Sequence, residues 1–364
     1  MPLADRILMG PGPCNPYPEA TAALARPLLG HLDPVFVGLL DETCARLRTL
    51  FRTDNPMTLP ISGTGSAGME AALVNVVEPG HVVVVGVNGV FGERMCDVAA
   101  RCGAEVVRVD FPWGQPVDAA AVLAAHPNPQ VIGVVHAETS TGVRSDIAPL
   151  AEGKGDALLL VDCVTSLGGI DVDVDGWGVD IAYSGTQKCL GVAPGLAPLT
   201  VSERARDRLV ERSRSWYLDL RMLGRYTGPA SGPRVYHHTA PVAMVSSLHA
   251  GLGAILEEGL DAAIARHVEC GRLLHEGLEG LGLELFAAEG HRLPELTTAW
   301  IPEGVDDAKV RSTLLERYDI EIGGGLGEYA GRVWRIGCMG HTARPRNVTM
   351  LLGALGEVLG RSPR

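Results

Sequence analysis

Six short runs of β-branched and aliphatic residues, separated by longer helix-like stretches, constrain this chain more than any other feature. The runs are Val82–Val87, Val106–Val109, Val131–Val135, Leu158–Asp162, Asp180–Ser184 and Leu196–Val201. They are almost continuously apolar, as strands covered on both faces must be. Between them, Met69–Val77, Phe91–Cys102 and Val117–Ala125 carry a helical pattern. The alternation predicts an α/β fold with a mainly parallel, doubly wound sheet. After about residue 260 the texture changes. An amphipathic stretch, Leu260–Leu281, leads to strand-like Thr297–Ile301, Ile320–Ile322 and Val333–Gly337, which predicts a smaller C-terminal α+β domain. The expected division is an N-terminal arm at 1–18, a large domain at 19–258 and a small domain at 259–364. Gly10-Pro11-Gly12-Pro13 makes the arm irregular, and Gly324-Gly325-Leu326-Gly327 reads as a flexible turn.

With 46% hydrophobic and 20% charged residues over 364 positions, the chain is a folded protein of about two domains, not a disordered one. Its formal charge of −12 argues against a nucleic-acid or anionic-membrane surface. An anionic ligand must therefore be held by a local device. No apolar stretch has the length of a membrane span. The opening residues MPLADRILMGPGPC lack the basic and apolar regions of a leader, and Arg361-Ser362-Pro363-Arg364 is not a peroxisomal address. The eight cysteines are scattered without a Cys-x-x-Cys pair, so they read as reduced thiols, neither disulfides nor zinc ligands. A cytoplasmic protein is the expectation.

Gly63-Thr64-Gly65-Ser66-Ala67-Gly68 fits G-x-G-x-x-G and precedes the helical Met69–Val77. Small residues there let backbone N–H groups converge on an anion at the positive end of a helix dipole. A dinucleotide site would need an acidic residue about 20 positions on, at the end of the next strand. That strand ends in Val87-Asn88-Gly89, with no carboxylate. The preceding Asn55–Pro60 carries two prolines and reads as a poor strand. A phosphate cradle is favoured over a plain tight turn.

Lysine occurs only at Lys154, Lys188 and Lys309. Lys154, in the polar turn Glu152–Gly155, and Lys309, after Asp306-Asp307, read as solvated surface. Lys188 instead follows an apolar strand, where ligands collect in a doubly wound sheet. A partly desolvated amine there can form a Schiff base, although an ordinary loop lysine is the plainer alternative. Asp162 closes the run Leu158–Val161, and a buried carboxylate needs a positive partner such as a protonated pyridine nitrogen. An N-cap role would explain it equally well. A phosphate cradle, an acid at a strand end and a lone lysine after a later strand together suit pyridoxal 5′-phosphate. His136, His237 and His238 have no metal-ligand spacing and read as structural; no metal site is expected.

The sequence resembles the class V (fold-type I) aminotransferases over nearly its whole length, most closely the alanine–glyoxylate, serine–pyruvate and serine–glyoxylate branch. The resemblance is carried by Gly10–Pro13, Ser62–Ser66 with Glu70–Asn75, Asn88–Gly92, His136–Gly142, Val161-Asp162, Ser184–Lys188, Tyr236–Pro241 and Trp334–Gly337. It implies that Lys188 bonds the cofactor aldehyde and moves the substrate proton, while Asp162 pairs with the ring nitrogen. It implies that Thr64, Gly65, Ser66 and Gln187 surround the phosphate, that Phe91 stacks on the ring and that Thr139 addresses its phenolic oxygen. Tyr236 and Thr239 would reach the phosphate of a neighbouring subunit in a homodimer. Arg335, with Gly12 nearby, would grip the substrate carboxylate through a bidentate fork. Phe91 stands where many relatives have Trp, Ser66 where mammalian-type relatives have His, and Thr139 where Ser is common.

The implied activity is ping-pong transfer of an amino group from a small amino acid, alanine or serine, to glyoxylate or pyruvate. Related activities on pyridoxamine, ureidoglycine, an aminophosphonate or a biosynthetic amine are the alternatives within the fold. A cysteine desulfurase, with Cys338 as its thiol, an NAD-dependent dehydrogenase and a non-catalytic homologue fit the residues less well.

Overall fold

The computed structural model describes residues 5–227 and 234–361. Residues 1–4 of the opening segment and 362–364 of the C-terminal tetrapeptide lie outside them. Seven strands form the central sheet: β1 (Met57–Ser62), β2 (Val82–Val87), β3 (Glu105–Asp110), β4 (Val131–Val135), β5 (Leu158–Asp162), β6 (Ile181–Tyr183) and β7 (Leu196–Val201). Their spatial order is β1-β7-β6-β5-β4-β2-β3. Strands β2 to β6 pair in parallel, and β7 runs antiparallel to both β6 and β1. Every residue of β4 and β5 is buried, which is why those runs contain no solvent-facing alternation. Each of Leu158, Leu159, Leu160 and Val161 is at most 2% exposed, and each such side chain contributes roughly 1.5–3 kcal/mol.

Asn55–Pro60 was expected to make a poor strand, yet β1 occupies most of it. Pro60 lies directly opposite Pro198 on β7. With no N–H on either residue, this position is a non-hydrogen-bonded pair, and the missing donor of Pro60 faces the open edge of the sheet. An edge strand tolerates proline for that reason. The glycine motif also differs from expectation: helix α1 spans Gly65–Val74, so the motif supplies its first turn instead of preceding it. Gly324 is no turn residue either, because Gly323–Gly324 pairs with Arg335 and Trp334. Lys154 is not solvated surface: its amine, with a side chain only 14% exposed, pairs at 2.6 Å with the buried Asp180.

Because β2 has β3 on one side and β4 on the other, the chain reverses its winding direction there. Crevices form beyond the carboxyl ends of strands at such a point. The loop after β2 leads into α2 (Val90–Arg101), and the segments after β4, β5 and β6 begin at His136, Cys163 and Ser184. All four open onto the same edge.

Helices α3 (Val242–Glu258) and α4 (Leu260–Gly280) meet at Gly259, whose φ of +92° suits glycine. Beyond them a smaller sheet joins β8 (Leu296–Trp300), β9 (Gly323–Gly324) and β10 (Val333–Gly337). One hydrophobic cluster surrounds the large sheet, and a second gathers Met9 with residues from Cys270 to Leu355. The arm links the two. Gly337 donates to Met9 O at 2.7 Å, and Cys14 N donates to Gln187 O at 3.0 Å. Residues 9–14 thus run from β10 to the loop that carries Lys188.

Candidate active site

One cavity at the carboxyl edge of the sheet is lined by Thr64, Gly65, Ser66, Phe91, Thr139, Asp162, Gln187 and Lys188. All eight were singled out in the sequence, although they span about 125 positions. Met69, Arg94, Val135, Ala137, Val164 and Thr165 complete the lining.

Lys188 is only 9% exposed, and its amine donates to the carbonyl of Pro11. Burial, reinforced by the nearby Arg335, pulls its pKa down to about 8, so a useful fraction is neutral near physiological pH. The arm approaches so closely that a Cβ on Gly12 would sit 2.6 Å from Nζ, and Gly12 also has φ +103°. Only glycine satisfies both conditions.

Asp162 ends β5, in register with Tyr183 on β6. The Tyr183 hydroxyl donates to Oδ2 at 2.8 Å, and the Val164 N–H donates to Oδ1 at 2.8 Å. Burial nevertheless pushes the carboxyl pKa up to about 6 against the pull of those donors. The local Val164 bond resembles an Asx turn, yet no helix starts there, so an N-cap does not account for Asp162. A positive group in the cavity would.

Thr64 is the N-cap of α1, but its side chain makes no capping hydrogen bond. Its hydroxyl and the N–H groups of the first turn are therefore available to an anion. A Cβ on Gly65 would lie 2.8 Å from Val164, so a small residue is needed for the close approach. Gln187 Oε1 is buried without a partner among the described residues, an acceptor that a bound group with a donor could satisfy.

Glu138 had no assigned role in the sequence. It is fully buried and accepts from Phe91 N at 3.0 Å, Gly92 N at 3.3 Å and Ser140 Oγ at 2.6 Å. It thereby holds the start of α2 and the backbone of Phe91, while burial raises its pKa to about 7. Arg335, on β10 and 8% exposed, donates to Gly324 O at 2.7 Å and Thr139 O at 3.4 Å. Burial lowers its pKa to about 10. Its hydrogen-bond partners are carbonyls, which orient the guanidinium, while the nearby carboxyl of Glu138 acts on it only through space.

Gly12, Arg335, Tyr236 and Thr239, all expected at the site, are not among the residues that line this cavity. Tyr236 is 57% exposed, with its ring 5.4 Å from that of His31. His136 is 3% exposed and held neutral by burial, and His238 bonds Ser62 Oγ at 2.8 Å. Among the described residues, no group of three or more His, Cys, Asp or Glu side chains could hold a metal. Cys338 is fully buried, and burial drives its thiol pKa far up, which is the opposite of a mobile nucleophile.

The model of the family "Aminotransferase class-V" matches residues 18–331. The chain belongs to the class-V aminotransferase family. An alanine–glyoxylate aminotransferase of Drosophila melanogaster is 40% identical over 98% of this chain and 93% of its own. The solved alanine–glyoxylate aminotransferase of Nostoc sp. is 45% identical, with a TM-score of 0.95 over 99% of this chain and 96% of that one. The ureidoglycine–glyoxylate aminotransferase of Bacillus subtilis has the same TM-score at 38% identity, covering 99% of this chain and 94% of its own. As a class-V aminotransferase the protein is an enzyme that uses pyridoxal 5′-phosphate to move amino groups between amino acids and 2-oxo acids. The cavity suits that cofactor: it presents an amine, a buried carboxylate and a helix N-terminus with an uncommitted hydroxyl.

Proposed function

We propose that the enzyme transfers the amino group of alanine or serine to glyoxylate or pyruvate, with Lys188 and Asp162 catalytic. The observation that carries this reading is the buried Arg335, hydrogen-bonded to the carbonyls of Gly324 and Thr139, with Thr139 lining the same cavity as Lys188. A substrate carboxylate paired with Arg335 brings its α-carbon toward the Lys188 amine. When bound, pyridoxal phosphate supplies an aldehyde that condenses with amines and a ring that absorbs negative charge from the adjacent carbon.

The residues then divide the labour. Asp162 holds a proton on the ring nitrogen, and Tyr183 and the Val164 N–H keep its carboxylate aimed. Thr64, Gly65, Ser66 and Gln187 hold the phosphate; Phe91 faces the ring; Thr139 addresses the phenolic oxygen. Lys188 would take the proton from the substrate α-carbon and return it to the former aldehyde carbon on the other side of the shared nitrogen, a general-base role suited to an amine with a depressed pKa. Arg335 and Gly12 bind the amino acid and then the 2-oxo acid at the same place, which is the basis of a ping-pong cycle.

We extend the reading to assembly and place. Leu28 (71%), Val35 (68%), Leu32 (54%), Trp216 (59%) and Tyr236 (57%) are large side chains exposed on the single chain. Exposed apolar side chains in such number support a homodimer in which Tyr236 and Thr239 serve the partner's phosphate. The large and small domains would divide at Gly259. All eight cysteines are unpaired, which supports a reducing, cytoplasmic setting, and among the described residues no helix is long and apolar enough to cross a membrane.

A panel of donors (alanine, serine, glycine, ureidoglycine and pyridoxamine) against glyoxylate and pyruvate tests the substrate assignment. Alanine or serine should give the highest kcat/KM. Faster turnover of ureidoglycine or pyridoxamine would transfer the assignment to those relatives' activities.

A further inference from the structure

Three charged side chains line the cavity: Asp162, Lys188 and Arg94. The first two have work at the ring nitrogen and the aldehyde; Arg94 has none so far. It sits one turn after Phe91 on α2, and residues three apart share a helix face. Its guanidinium donates to Ser66 Oγ at 3.3 Å and lies over the Phe91 ring, 4.8 Å from the centroid. It therefore bridges the cradle at the start of α1 and the aromatic face of the cavity.

Its electrostatic state sets it apart from its neighbours. Arg101, on the same helix, pairs with Asp97 at 2.9 Å. Arg108 pairs with Glu93 at 3.0 Å and Asp110 at 2.6 Å. Arg94 has no carboxylate at ion-pair distance among the described residues; its recorded partners are a hydroxyl and an aromatic ring. The cradle itself offers only neutral donors: Thr64, Ser66, Gln187 and backbone N–H groups. A phosphate monoester carries close to two negative charges near neutral pH. Neutral donors and a helix dipole leave most of that charge uncompensated.

We propose that Arg94 is the cationic partner of the cofactor phosphate, acting beside Ser66. This rests on the reading that pyridoxal phosphate occupies the cavity with its phosphate at the start of α1. A planar guanidinium is suited to two phosphate oxygens at once, which a neutral hydroxyl is not. Stacking on Phe91 orients the fork before the cofactor arrives.

The test strips the cofactor from the enzyme and compares its rebinding with that of pyridoxal, which lacks the phosphate. Arg94→Gln should weaken pyridoxal phosphate about tenfold or more and pyridoxal by less than about twofold, and Arg94→Lys should recover part of the loss. Equal weakening of both compounds would reduce Arg94 to a support for Phe91, and no weakening would remove it from the site; either overturns the proposal. A reading on the unaltered enzyme does not depend on variants folding. Raising the salt concentration should weaken pyridoxal phosphate and spare pyridoxal, and an affinity indifferent to salt would contradict the proposal. Failure of the unaltered protein to rebind either compound would instead overturn the reading of the cavity itself.

Discussion

The two ends of the cavity are built on opposite principles. At the Asp162 end the acid is buried and tied to groups of the same chain: Asp162 is 4% exposed and bonded to Tyr183 and Val164. At the Thr64 end the helix start itself is small and neutral, Thr64 and Ser66 are exposed, and the Thr64 hydroxyl makes no capping bond. One end fixes the electronic character of whatever ring binds there. The other end is an anchor that stays incomplete until an anion arrives. The first should therefore govern rate and the second retention of the cofactor.

That division can be broken in order of expected effect. Asp162→Ala removes the counter-charge at the closed end, a loss of about 3 kcal/mol, so kcat should fall about 100-fold even at saturating cofactor. Full activity at saturation would place the acid outside the chemistry. Tyr183→Phe takes one donor from Asp162 at a cost of about 1 kcal/mol. The carboxyl pKa should rise further, and the acid limb of the kcat/KM profile should move to higher pH. An unshifted limb would make Tyr183 a packing residue only. Thr64→Ala should have the smallest effect, weakening cofactor binding by up to about tenfold while leaving kcat unchanged once the enzyme is saturated. A fall in kcat at saturation would blur the distinction between the two ends.

The closed end also carries a cost that pH reveals. Asp162 has a folded pKa raised to about 6 from 3.8, so the folded state holds its proton more tightly than the unfolded state. Without cofactor, stability should therefore fall as pH rises from about 4 to about 6, and stay lower above that. The penalty is about 3 kcal/mol at most. Glu138 and Glu295, raised from 4.5 to about 7 and about 8, add similar slopes that overlap this window and extend beyond it. The informative quantity is therefore the difference from Asp162→Asn, which should lose only the Asp162 share of the drop between pH 4 and 6. Parallel unfolding curves for the two proteins would contradict the raised pKa.

The same contrast explains what could be read in the sequence. The closed end lies on strands whose burial writes itself as apolar runs, so Val131–Val135 and Leu158–Asp162 were legible to the residue. Lys188 was legible because lysine is so rare in the chain. The start of α1 was placed too late because small residues carry no helical periodicity. The two prolines mask β1 in the sequence, because nothing there marks the strand as an edge. Tyr183 and Asp162 meet only through the parallel register of β5 and β6, and 21 positions of sequence hide that pairing. Nothing in the sequence separates Arg94 from the chain's other arginines. Its isolation emerges only when the ion pairs of Arg101 and Arg108 are seen beside it.

All of this depends on the amine at position 188 being the one that bonds the cofactor. Reduction of the intact enzyme with borohydride, followed by mass mapping of its peptides, tests that bond directly. A pyridoxyl mass on the peptide containing Lys188, and on no other, is the predicted result. Label at Lys154 or Lys309, or a cofactor that washes away unreduced, would contradict the assignment.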